Sequence, residues 1–133
     1  MKRSEAREQA FILVFEKIFN PDLSCQDIKD IAAESELFVA GEFAEKLFGS
    51  VYDNVEMLDE KITACLKGWT LQRIPKVSLS ILRLGVCEIL FFDDVPDGVC
   101  ANEAVELAKK YAGEEDASFI NGVLGSVIRG KNS

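Results

Sequence analysis

The chain has 133 residues, 48% hydrophobic and 29% charged, with a formal net charge of −8 and no histidine. That length suits one domain burying roughly two-thirds of its unfolded surface, and the composition excludes a disordered or low-complexity chain. No apolar run approaches the ~20 residues that span a bilayer, and Met1-Lys2-Arg3-Ser4-Glu5 is not followed by a signal-peptide core. A cytoplasmic protein with no membrane partner is expected. Cys25, Cys65, Cys87 and Cys100 are irregularly spaced with no C-x-x-C pair, so they read as small buried hydrophobes rather than disulfides or metal ligands.

The apolar pattern is helical nearly throughout. Ser4 is placed to cap a first helix carrying Ala10, Phe11, Val14, Phe15, Ile18 and Phe19 on one stripe, and Asn20-Pro21 stops it. Ser24-Cys25-Gln26-Asp27 reads as a capping box opening a second helix. A third helical run starts near residues 39–42 and extends to Trp69, either as one long helix or as two with a break near Asn54, with Gly68 marking its end. Residues 70–74 suit a short helical turn. Pro75 suits the first turn of the next helix, where its missing N–H costs nothing. Residues 76–92 are apolar on nearly every side, the pattern of a helix at the centre of a bundle. After the turn at 93–98 comes a helix with small residues at Ala101, Ala104 and Ala108, closed by Gly113. Asp116 is placed to cap a last helix bearing Phe119, Ile120, Val123, Leu124, Val127 and Ile128, and Gly130 closes it. The expected fold is all-α with six or seven helices in a single domain, 1–133. Pro75 divides it into two small bundles, about 1–69 and 70–133, sharing a core.

Charge is distributed unevenly. The stretch from Lys61 to Cys87 holds five basic residues and no acid, so the rest of the chain sums to −13. Arg3 and Arg7 are four apart, which puts both guanidinium forks on one helix face within reach of adjacent phosphates. Lys67, Arg73 and Lys76 gather near a helix junction. Trp69, four residues before Arg73, could frame a base, although a core-packing tryptophan is the commoner role. Binding a polyanion with both basic groups requires them to meet on one exposed flank.

Catalysis finds no support. Without histidine there is no Ser/Cys–His arrangement, and Gly122 and Gly125 lie inside a helical stripe without a phosphate-binding glycine pattern. The acid-rich stretches, such as Glu114-Glu115-Asp116, read as solvated charge. No cofactor or metal is expected. Arg83 and Glu88 stand in an otherwise apolar helix, so each should be paired or emerge at an interface. Gly122 is assigned to close helix packing.

Gly68-Trp69, Ile81-Leu82-Arg83-Leu84, Glu88-Ile89-Leu90, Asn102-Glu103-Ala104-Val105-Glu106-Leu107-Ala108-Lys109 and Phe119-Ile120-Asn121-Gly122-Val123-Leu124, with Ala6-Arg7-Glu8 and Ala10 at the start, closely resemble the NusB family of bacterial transcription antitermination factors. The ordered set covers essentially the whole chain. The resemblance implies two three-helix bundles packed roughly perpendicular. It also implies binding of the boxA element of ribosomal RNA leader transcripts together with NusE, a small-subunit ribosomal protein, in a complex with RNA polymerase and other Nus factors. RNA contacts are then expected from Lys2, Arg3 and Arg7, with Phe15 where the family commonly has tyrosine, and from Lys67, Arg73 and Lys76. The partner-facing set is Ser78, Arg83, Glu88, Asn102, Glu103, Glu115, Phe119 and Asn121. Ser4-Glu5 interrupts the arginine run found in many members, and Ser78 replaces a residue often acidic there. The alternative is a helical protein-interaction module with weakened RNA binding. An amphipathic first helix also leaves room for a homodimer.

Overall fold

Every regular element among residues 2–132, the part that the computed structural model describes, is helical. The seven α-helices are α1 (Arg3–Phe19), α2 (Cys25–Glu34), α3 (Glu42–Asp53), α4 (Val55–Ala64), α5 (Lys76–Phe91), α6 (Asp97–Tyr111) and α7 (Glu114–Lys131), with a 3₁₀ turn at Leu71–Arg73 before α5. Met1 and Ser133 lie outside the described residues.

The helix ends follow local chemistry, with some corrections. Lys2, not Ser4, occupies the cap of α1, and its side chain makes no capping hydrogen bond. The Ser4 hydroxyl instead donates to Glu103 at 3.0 Å. The capping box of α2 is complete: Asp27 N–H donates to Ser24 Oγ at 3.0 Å, and Ser24 N–H to Asp27 Oδ2 at 3.1 Å. The long third run divides at Asn54. Its side-chain amide donates to the Ser50 carbonyl at 2.8 Å, the acceptor that its backbone N–H would use in a continuing helix. The backbone N–H turns to Val51 O and the chain leaves the helix. α4 ends at Ala64, ahead of Gly68, whose φ of +79° serves the following turn. Gly113, at φ +117°, reverses the chain between α6 and α7, and α7 begins at Glu114, so Asp116 sits inside the first turn rather than capping it. α7 also runs past Gly130 to Lys131.

α5 is the central helix and packs on α1, α3, α4, α6 and α7. Its all-round apolar sequence leaves residues Ile81, Leu82, Leu84, Val86, Cys87 and Ile89 essentially without solvent contact. One apolar cluster runs unbroken from Ala10 of α1 to Val127 of α7, so the helices on either side of Pro75 share a core. Lys131 locks the far end of α5: its ammonium donates to Ile89 O at 2.7 Å and to Asp97 Oδ1 at 2.8 Å. Cys87 and Cys100 are buried, which pushes their thiols up to about 11 and about 12, whereas Cys25 and Cys65 are half-buried.

Close helix approach depends on Gly85 rather than Gly122. A Cβ at Gly85 would stand 3.2 Å from Leu124 Cδ1 and 3.3 Å from Ala104 Cβ, whereas one at Gly122 would meet nothing within 4 Å. Gly85→Val should therefore destabilise the fold by about 1–3 kcal/mol through overpacking. Gly122→Ala should stabilise it by up to about 1 kcal/mol through helix propensity. Urea denaturation of the two variants checks this contrast, and equal effects would contradict it.

Candidate nucleic-acid interface

Arg7 does not join Arg3 at the surface. It is 4% exposed, and its guanidinium lies between α5 and α6. Nε donates to Glu88 Oε1 and Oε2 at 2.8 and 3.0 Å, Nη2 donates to Oε2 at 2.6 Å, and Nη1 stands 3.5 Å from Glu103 Oε1. Burial alone would lower the arginine's pKa, but the Glu88 hydrogen bond and the two carboxylate charges raise it above its ordinary value. Glu88 is 2% exposed, so neither member of this pair is open to phosphate or protein. The sequence spacing placed Arg7 near Arg3 but could not show that a carboxylate 81 residues away would claim it.

With Arg7 so engaged, the exposed cations at the start of α1 are Lys2 and Arg3. The Arg3 guanidinium lies 4.0 Å from the centroid of Phe43 on α3 and has no carboxylate partner among the described residues. Phe43 meets Phe92 edge-on at 5.5 Å, and the Lys46 ammonium lies 5.1 Å from the Phe92 ring. Cation, ring, ring and cation thus form a short ladder across α1, α3 and the end of α5. Two nearby acids are occupied, Glu103 by Arg7 and Ser4 and Glu8 by Lys110 and Tyr111, whereas Glu5 of α1 and Glu42 of α3 are exposed. Hydrogen bonds from Lys110 and then Tyr111 hold the Glu8 carboxyl below its ordinary pKa despite partial burial. The uncapped N–H groups of α1's first turn add positive potential at the same end. Phe43 and Lys46 were not singled out from the sequence; their signal was an aromatic and a lysine three apart at the start of a helix.

The other predicted basic residues do not gather on the same flank. Lys76 shares a cleft with Lys17, Asp59 and Arg83 at the far end of α1, about 21 Å along the axis from Arg3 at ~1.5 Å per residue. Lys67 and Arg73 lie instead on either side of a ridge formed by Trp69 and Phe119, whose ring centroids are 6.4 Å apart. Trp69 is 55% exposed, so it is not a core tryptophan. Lys67 and Arg129 line one hollow beside this ridge; Arg73, Glu115 and Asp116 line the other. Arg129 was also missed, although Ser118, Gly122, Ser126 and Arg129 recur at helical spacing. Phe15 is half-buried, with its ring centroid 6.1 Å from that of Phe11 and 5.0 Å from that of Phe19.

The partner-facing set divides in the same way. Ser78 is fully buried and its hydroxyl has no hydrogen-bond partner, so it presents nothing to a partner. Glu88 is committed to Arg7, and Arg83 to Asp59 through two 2.8 Å hydrogen bonds. Paired rather than interfacial is thus the outcome for both Arg83 and Glu88. Asn102, Glu115 and Asn121 are exposed, and Glu103 and Phe119 half-buried. No group of three or more acidic or cysteine side chains is arranged to hold a metal among the described residues, and no helix is long and apolar enough to cross a membrane.

An all-helical body with a cation–aromatic ladder at one end and an exposed aromatic ridge elsewhere defines a binding adaptor. The NusB family model matches residues 4–129, and the chain belongs to the NusB family. It is 38% identical to the transcription antitermination protein NusB of Clostridium botulinum (strain Hall), over 96% of this chain and the whole of that one. Identity to the Natranaerobius thermophilus protein of the same name is 40%, over 99% of this chain and 98% of that one. Among solved structures, NusB in a crystal structure of the antitermination factors NusB and NusE with double-stranded RNA superposes with a TM-score of 0.85 at 27% identity, covering 98% of this chain and 99% of that one. The solution structure of Aquifex aeolicus NusB gives 0.82 at 32% identity, covering 97% and 89%.

If the buried pair anchors α1, then Arg7→Met should cost about 3–5 kcal/mol, because it strands Glu88 without its cation. The Arg7→Met/Glu88→Leu double variant should recover a large part of that loss. Chemical denaturation of both measures it; a single variant within about 1 kcal/mol of the parent would contradict the assignment.

Proposed function

We propose that this protein is a transcription antitermination factor that binds boxA-type RNA in the cytoplasm, together with NusE, through the N-terminal end of α1 and the adjoining face of α3. The observation that carries this reading is Arg3, stacked on Phe43 with no carboxylate partner among the described residues. Lys2 stands beside it and Lys46 at the far end of the ladder. Such a surface offers phosphates two or three mobile cations and the unbonded N–H groups of a helix start. The interrupted arginine run leaves few cations for phosphate, so the affinity of the protein alone is modest and the protein partner adds to it. In this reading the complex also engages RNA polymerase and other Nus factors.

For the partner, the ridge of Trp69 and Phe119 is the natural anchor. An exposed Trp69 packed on a half-buried Phe119, beside both acidic and basic side chains, has the composition of an interface centre. Glu115 lies beside this ridge; Asn102 and Asn121 are further exposed positions on α6 and α7. Lys67 and Arg73 then serve the edge of the assembled complex rather than an RNA site continuous with Arg3. The same ridge favours the second reading, a protein-interaction module with little RNA binding of its own.

Fluorescence anisotropy with a boxA oligonucleotide, with and without NusE, separates the two readings. Arg3→Ala should weaken RNA binding by about tenfold, and removing one cation from the phosphates should reduce the salt slope by ~0.7. Adding NusE should tighten binding, and Trp69→Ala should remove that gain while leaving binding by the protein alone unchanged. RNA affinity indifferent to Arg3 and to salt would overturn the RNA assignment. Absence of RNA binding alongside tight NusE binding would select the second reading.

A further inference from the structure

α1 and α2 enclose a second apolar groove, separate from the Arg3 ladder and from the Trp69–Phe119 ridge. Ile12 and Glu16 of α1, Asn20 just past its end, Ile28 and Ile31 of α2 and Leu37 of the following loop line a hollow of about 330 Å³. Ile31 is 49% exposed and Leu37 59%, and Val39 and Phe19 are also open to solvent. An aliphatic surface of this kind, left uncovered beside a well-packed core, marks an interaction site more often than an accident of folding.

The charge around the groove selects the occupant. Residues 20–45 carry seven carboxylates against Lys29 alone, a net of −6. Glu16 lines the groove, and Asp27, Glu34 and Glu36 stand beside its apolar residues along the chain. No cation lines it. The two that adjoin its lining residues along the chain are engaged elsewhere: the Lys17 ammonium donates to the Pro21 and Leu23 carbonyls, and Lys29 pairs with Glu45 at 3.9 Å. Phosphate would meet like charge here, from Glu16 in the groove and from the acidic segment around it. A second copy would bring another acidic rim, since its matching face carries the same carboxylates.

We infer that the α1–α2 groove docks a basic amphipathic helix of a protein partner. Its length fits: Ile12 to Asn20 spans about 12 Å at ~1.5 Å per residue, the reach of an i, i+4, i+7 set of apolar anchors. Aliphatic anchors fill the hollow between Ile31 and Ile12. Lysines or arginines flanking them meet Glu16 on one side and the α2 carboxylates on the other.

The test uses the full-length protein, isotope-labelled for NMR, and a synthetic amidated peptide of about 18 residues. The peptide carries leucines at i, i+3, i+4 and i+7 with lysines elsewhere; a control carries glutamates in place of the lysines. Amide shifts should concentrate on residues 12–20 and 28–37 with the lysine peptide and be absent with the control. Ile31→Ser/Leu37→Ser changes two exposed side chains, and Glu16→Lys/Glu34→Lys reverses the rim. Each should weaken the lysine peptide by at least about tenfold, and the uncharged serine pair should leave boxA RNA binding unchanged. Absence of binding, shifts centred on Trp69 and Phe119 or spread over the surface, equal affinity for the variants, or binding of the glutamate peptide would each overturn the inference. So would occupation of this face by RNA or by a second copy.

Discussion

The guanidinium of Arg7, held between Glu88 and Glu103, is the interaction on which the rest of this structure depends. A buried charge is tolerated only when it is paired and its hydrogen bonds are made. This arginine donates three hydrogen bonds to one carboxylate and keeps its remaining nitrogen beside the other. Glu88 projects from the central helix α5 and Glu103 from α6, so a single side chain of α1 fixes the first helix against both. Apolar packing alone would let α1 slide or rotate by small amounts at little cost, whereas a two-pronged guanidinium–carboxylate fork has one geometry. That register decides where the exposed residues one turn earlier will stand.

Arg3 is one turn before Arg7, and its position over Phe43 follows from that register. The electrostatics follow as well. A protein with net charge −8 would ordinarily repel RNA, but three acids near the start of α1 are occupied within the fold, while Glu5 stays exposed in its first turn. Glu88 and Glu103 face Arg7, and Glu8 faces Lys110 and Tyr111. The local field at this end therefore depends on Lys2, Arg3 and Lys46 with the helix terminus, opposed by Glu5 and by Glu42 at the start of α3, more than on the total charge. The acidity remaining elsewhere is not uniform either. It concentrates around α2, where it rims an aliphatic groove.

Much of the fold was legible because it rests on periodicity. The all-round apolar run at 76–92 marked the central helix, and Ser24 with Asp27 marked a helix start, since both signals are local and the core had only to agree with them. Boundaries decided by competing hydrogen bonds were less readable. Whether Asn54 would break a helix depended on its side chain capturing the Ser50 carbonyl. The site was harder still. Arg3 and Arg7 carry the same charge on one short segment, and only long-range geometry separates an exposed cation from a buried one. Gly122 sits in the family-like motif, yet a glycine that other helices press on is Gly85, because α6 and α7 approach α5 there. Phe43 and Lys46 became visible only when folding set α3 beside the N-terminus of α1.

The most direct measurement is boxA RNA affinity of Glu88→Gln, made well below the variant's melting temperature. Glu88 is buried and touches no exposed surface, so it influences RNA only through position or through charge. Removing a carboxylate should, by Coulomb attraction alone, strengthen RNA binding slightly. Loss of the Arg7 anchor should instead loosen the start of α1 and displace Arg3. The account predicts affinity several-fold weaker; unchanged or tighter binding would contradict it.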